Sequence, residues 1–169
     1  MRFASRITFV LCVLSCVVTP HALAEDILDW TSLPDLPTKL GVAGPFAGVS
    51  HDALIVGGGA NFPNGAPWDG GAKVWHDDLY VLEKGGNAWH TGFVLPRPLA
   101  YGVSVTTDEG LLCIGGCDGA QCYTDVFLLK WNAVSRQIES NPLPSLPEPL
   151  AFMAGARIGD VVYVAGEQS

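Results

Sequence analysis

Residues 46–62 read FAGVSHDALIVGGGANF. Five residues rich in small side chains (46–50) are followed by His51-Asp52, a polar pair of turn character. An uninterrupted apolar run (53–56) then ends in Gly57, Gly58 and Gly59. An apolar run this short, bounded by turn residues, fits a strand buried on both faces; a helix needs about ten residues or more. The pattern recurs. Residues 101–117 read YGVSVTTDEGLLCIGGC and residues 152–167 read FMAGARIGDVVYVAGE, with the small-residue doublets falling about 58 and then about 50 residues apart. Each copy reads as a hairpin whose second strand ends in Gly-Gly or Ala-Gly.

A repeat near 50 residues, with a hydrophobic run closing on a double glycine, marks the kelch type of β-propeller, one four-stranded blade per copy. The sequence therefore predicts an all-β protein. Its first blade spans 46–93: strands at 46–50 and 53–57, a long loop from Gly58 to His76, a third strand at 77–82 carrying Tyr80, and an outer strand at 88–93 carrying Trp89. The second blade spans 101–140, with strands at 101–106, 111–115, 125–131 and 137–140, and a Pro-rich crossing at 142–149. The third copy, 152–169, offers two strands only, at 152–157 and 161–165. Residues 27–32, around Trp30, read as an outer strand that completes a blade whose other strands lie elsewhere. About two and a half blades are fewer than the four that close the smallest propellers, so the expectation is the N-terminal part of a longer ring.

Composition narrows the function. The formal net charge is −8 and no basic cluster is present, which argues against nucleic acid and anionic membrane surfaces as partners. Residues 1–24 read as a signal peptide: Arg2 and Arg6, an apolar stretch over 7–18, and Ala22-Leu23-Ala24 before Glu25. The apolar stretch is shorter than the roughly 20 residues a membrane span requires. Cleavage after Ala24 and a periplasmic or secreted mature protein are the expectation; acylation at Cys16 is the weaker alternative. Export makes the remaining cysteines informative. Cys113 sits in an apolar strand and reads as a buried thiol. Cys117 and Cys122 bracket a four-residue loop and are either a disulfide or two thiols. Two Cys with no His nearby do not make a zinc site, and no metal or cofactor is called for.

Residues 41–62, GVAGPFAGVSHDALIVGGGANF, and 100–116, AYGVSVTTDEGLLCIGG, resemble the kelch-type N-acetylneuraminate epimerases, the sialic acid mutarotases. The order of the two stretches resembles the cyclically permuted members. The resemblance implies six blades, a periplasmic enzyme, and interconversion of the α and β anomers of a sugar acid, N-acetylneuraminate. It also implies a Glu just after a strand-two glycine, with an Arg a few residues on. Glu167 follows Gly166, but no Arg follows it, and the copy order assigns it to a different blade. The catalytic pair is thus expected outside this chain, with Glu167 an ordinary loop carboxylate.

Loops after strand two and crossings into the inner strands line one face of a propeller. Asn61, Trp68, Lys73, Arg97 and Tyr101 are the substrate-binding candidates there: Asn61, Lys73 and Arg97 as donors to a sugar acid, Trp68 as a stacking platform, and Tyr101 at the start of an inner strand. Asp69, Trp75 and Asp118 share the same loops. Leu99 stands where related sequences can carry a basic residue. His51 and Asp52, in the strand one–two turn on the opposite face, read as structural. The alternative function is an exported, non-enzymatic kelch protein that binds glycan or protein through its loops; a copper oxidase lacks its His and Tyr ligand set.

Overall fold

The computed structural model describes residues 28–167; the proposed signal peptide lies outside them. Among the described residues, two four-stranded antiparallel sheets, one further hairpin and a small two-stranded sheet in a loop form the architecture of a kelch-type β-propeller. The first blade orders β1 (Phe46–Ser50), β2 (Ala53–Gly57), β5 (Asp78–Glu83) and β6 (His90–Val94) side by side. The second orders β7 (Val103–Thr107), β8 (Gly110–Ile114), β9 (Val126–Asn132) and β10 (Gln137–Leu143). β11 (Ala151–Ile158) and β12 (Val161–Glu167) form the hairpin of the third copy. Residues 28–32 belong to no sheet. The strand expected at 27–32 would need another blade's strands as partners, and none of the described strands pairs with it.

Each hairpin forms for a local reason. His51 and Asp52 both take positive φ (48° and 60°). That is the type I′ geometry whose twist matches a two-residue hairpin, and it agrees with their structural reading. Alternation then sets the packing. Ile55, Leu79 and Val81 of the first blade face Leu111, Cys113, Phe127, Leu129 and Trp131 of the second in one continuous core. The opposite face of the second blade, Val103, Val105 and Ile114, packs on Met153, Val162 and Val164 of the third hairpin. β8 is apolar throughout because both of its faces are covered, Leu111 and Cys113 in the core with the first blade and Leu112 and Ile114 in the core with the third hairpin.

β1 lies at the edge of its sheet, and an edge leaves backbone N–H groups without ladder partners. Side chains of the next blade supply acceptors: Ser104 Oγ receives Ala47 N–H at 3.1 Å and Thr106 Oγ1 receives Val49 N–H at 2.9 Å. Ser50 Oγ, almost wholly buried, receives Trp131 N–H at 3.1 Å. Thr106→Val keeps the shape and removes one acceptor, so it is expected to lower stability by about 1 kcal/mol. A urea titration with an unchanged slope and an unmoved midpoint would contradict the bond's contribution.

The double glycines join blade to blade. Gly58 and Gly115, at φ 67° and 59°, donate to Asp78 O and Asp125 O at 3.0 and 2.7 Å. Gly59 and Gly116 donate to Leu99 O and Leu150 O, both at 2.8 Å, on the chain crossing into the next blade. At the head of each crossing sits a left-handed residue: Gly44, Tyr101 and Phe152, at φ 61°, 63° and 54°. Tyr101 N–H donates to Gly44 O and Phe152 N–H to Tyr101 O, each at 2.8 Å, a hydrogen-bonded chain across the three copies.

Several boundaries differ from the sequence reading. The inner strand of the second blade begins at Val103, two residues after Tyr101, whose left-handed φ breaks the ladder. β10 runs on through Pro142 and Leu143; it is an outer edge strand, where a proline costs no ladder hydrogen bond. Trp89 precedes β6, and its indole N–H donates to Pro34 O at 3.1 Å. The long loop of the first blade is partly ordered. β3 (Ala60–Asn61) pairs with β4 (Val74–Trp75), and a short 3₁₀ turn, Pro67–Asp69, lies between them.

Candidate functional site

The loop after β2 and the crossing into β7 meet at one cation. Lys73 Nζ lies 4.5 Å from the Tyr101 ring centroid, 5.3 Å from Trp75 and 5.9 Å from Phe62. Three ring faces within about 6 Å make a cation–π enclosure. Among the described residues, Lys73 has no carboxylate partner and no hydrogen bond. Local structure produces the arrangement. The β3–β4 pairing brings Trp75 opposite Ala60, so Phe62 and Lys73 leave the hairpin side by side. The left-handed bend at Tyr101 turns its ring toward them. Tyr101 is itself stacked on Phe152, with centroids 4.7 Å apart.

The enclosure continues into the second blade's short loop. Gly119 sits against the Trp75 ring so closely that a Cβ there would lie 3.1 Å from it. Asp118 holds this loop: its Oδ1 accepts from the backbone N–H of Ala120 and Gln121 at 2.7 and 2.9 Å, and its Oδ2 accepts from the Tyr123 hydroxyl. The Tyr123 hydroxyl, followed by the two amides, keeps the Asp118 carboxyl below the usual carboxylate range. Tyr123 in turn lies under the Arg97 guanidinium at 4.4 Å, and Arg97 Nε pairs with Asp125 Oδ2 at 3.3 Å.

The five binding candidates thus part company. Lys73 and Tyr101 come together. Asn61 is engaged at both ends of its amide, donating to Gly41 O at 3.2 Å and accepting from His76 Nε2 at 2.9 Å, which places the ring proton of His76 on Nε2. It fastens the loop. Arg97 already has a carboxylate. Trp68 stands 83% exposed on the 3₁₀ turn, with no ring or polar contact among the described residues. Leu99, where a basic side chain was conceivable, is fully buried in the core between the blades. Phe62 and Trp75 complete the enclosure; Phe62 was not singled out from sequence, because nothing local marks it as facing a lysine.

A separate groove of about 240 Å³ runs along Leu36, Leu40, Val42, Val56 and Tyr80. Val56 and Tyr80 alternate with the residues that face the second blade, so the groove occupies the first blade's other broad face, the surface type that blades use to pack. Tyr80's hydroxyl pKa is raised there by burial and then by Asp78. Among the described residues, no group of three His, Cys, Asp or Glu could hold a metal ion.

Comparison with known proteins accords with the repeat pattern. A family described as N-acetylneuraminate epimerase matches residues 15–138. The chain is 37% identical over 142 residues to the N-acetylneuraminate epimerase of Brucella suis, covering 72% of this chain and 36% of that protein. It is 40% identical over 106 residues to the N-acetylneuraminate epimerase of Yersinia enterocolitica, covering 53% and 26%. The solved structure titled "Structure of YjhT" superposes with a TM-score of 0.59 at 31% identity, covering 70% of this chain and 36% of that one. The chain spans about a third of the length of these relatives.

Proposed function

We propose that this chain, which belongs to the N-acetylneuraminate epimerase family, supplies the part of a sialic acid site that receives the sugar's carboxylate. The carrying observation is Lys73. Its ammonium is held by Phe62, Trp75 and Tyr101 and, among the described residues, has no anionic partner. A carboxylate reaching it would gain a charge-assisted hydrogen bond, while the rings around it offer apolar surface to a pyranose face. Arg97 is a poorer receptor because Asp125 already neutralises it.

Anomer interconversion needs a base at the anomeric hydroxyl and an acid at the ring oxygen, each contributing about 10²–10⁴-fold. Two carboxylates of the adjoining second-blade loop are committed, Asp118 to its own turn and Asp125 to Arg97. Lys73 and Tyr101 therefore bind and orient, and the proton transfers fall to groups supplied by other blades. A polypeptide of these 169 residues is expected to bind N-acetylneuraminate while leaving α–β exchange, followed by NMR, near its uncatalysed rate. Acceleration of about a hundredfold or more, abolished by Glu167→Gln, would instead make Glu167 the catalytic carboxylate.

The proposal includes export, with the mature chain starting at Glu25 after the Ala22-Leu23-Ala24 site. N-terminal sequencing of the exported protein would show Glu25; an acylated Cys16 would contradict it.

A further inference from the structure

We infer that Cys117 and Cys122 form a specific oxidation site, a disulfide that closes the Asp118–Gln121 turn behind Trp75. The two residues face each other as an antiparallel bridge pair. The flanking hydrogen bonds, Asp118 N–H to Gln121 O at 3.0 Å and Tyr123 N–H to Gly116 O at 2.8 Å, make theirs a non-hydrogen-bonded position. There the Cα atoms approach to about 4.5 Å, at the close end of the roughly 4.4–6.8 Å that disulfides span. The turn is already formed by Asp118, whose carboxylate accepts from Ala120, Gln121 and Tyr123, so oxidation requires no rearrangement of the chain.

Selectivity follows from access. Cys113 is fully buried in the core between the blades, and burial pushes its thiol pKa far up, which withholds the thiolate that disulfide exchange requires. Cys117 is buried at 6% exposure, and its pKa is raised first by burial and next by Cys122, which also hydrogen-bonds it. Cys122 is the more accessible of the pair and is the sulfur that attacks first. The Trp75 indole N–H, buried without a well-formed hydrogen bond, and the Lys73 ammonium both act on the Cys117 sulfur. The pair therefore lies directly behind the Lys73 enclosure.

The oxidant is a small-molecule disulfide. The Cys122 thiolate attacks one of its sulfurs, and the S–S bond breaks, releasing one thiolate. Cys117 then loses its proton and attacks the Cys122 sulfur, and the second thiolate departs. Two protein thiols are oxidised, one disulfide is reduced to two thiols, and the two protons end on the released thiols.

The test treats the native full chain with glutathione disulfide, caps remaining thiols and cuts before aspartate. Cleavage before Asp118 separates 108–117 from 118–124, so a bridge between Cys117 and Cys122 joins these two peptides while Cys113 carries the cap. Cys122→Ser is expected to abolish the joined species and Cys113→Ala to leave it unchanged. Capping of all three cysteines, stable glutathione adducts on Cys117 or Cys122 without joining, or a bridge through Cys113 would each overturn the assignment.

Discussion

Gly58→Ala is expected to destabilise the fold by about 3 kcal/mol, more than a hundredfold in the folded-to-unfolded ratio. Gly58 sits at φ 67°, and a Cβ there would lie 2.4 Å from Leu99 O and 2.9 Å from Leu95 Cδ1. The left-handed conformation alone costs a non-glycine residue about 1–2 kcal/mol. The rest comes from crowding. Leu99 O is backbone and holds the Gly59 N–H, and Leu95 is 2% exposed in the core, so neither can withdraw without opening the joint between the blades; overpacking of this kind costs about 1–3 kcal/mol. Gly85 is the control. It is also left-handed, at φ 75°, but has open space around it, so Gly85→Ala is expected to cost only the conformational part, about 1–2 kcal/mol. Urea midpoints for the two variants measure the difference. Equal losses would mean that the double glycine serves turn conformation only and does not hold the crossing chain.

Lys73→Met is expected to weaken N-acetylneuraminate binding by about ten- to a hundredfold, the range for losing one hydrogen bond to a charged group. Methionine keeps an unbranched apolar side chain among the rings of Phe62, Trp75 and Tyr101, so the fold should survive and only the charge is lost. Arg97→Met removes a cation that Asp125 already neutralises, and its effect on affinity should be several-fold smaller. Calorimetric titration of both variants distinguishes them; a larger loss for Arg97→Met would move the carboxylate site to the second crossing.

The blades were legible because their determinants are local. His51-Asp52 is a two-residue hairpin turn by composition, Ala53–Gly57 is too short for a helix, and Gly58 and Gly115 recur where only glycine fits. What escaped was tertiary. Ala60 forms a strand because it pairs with Trp75 across the loop and its N–H and C=O bridge to Ala43 at 2.9 and 2.8 Å, and no residue near Ala60 announces that. Tyr101 reads as strand from its neighbours, yet the crossing chain bends it into a left-handed conformation. The site was legible as a set of five candidates, and distant partners sorted them. Asp125 claims Arg97, and His76 and Gly41 claim Asn61. Lys73 stands out because Phe62, Trp75 and Tyr101 converge on it from separate parts of the chain.

Recognition of a sugar carboxylate at Lys73 is tested most directly by amide and indole NMR shifts of ¹⁵N-labelled protein titrated with N-acetylneuraminate and, separately, with its methyl ester. The expected result is saturable movement of the Trp75 indole N–H and of the Lys73, Tyr101 and Gly119 amides with the free acid, and binding of the ester at least about tenfold weaker, as loss of a charged contact requires. Equal binding of acid and ester, or shifts confined to the groove along Leu36, Val56 and Tyr80, would contradict it.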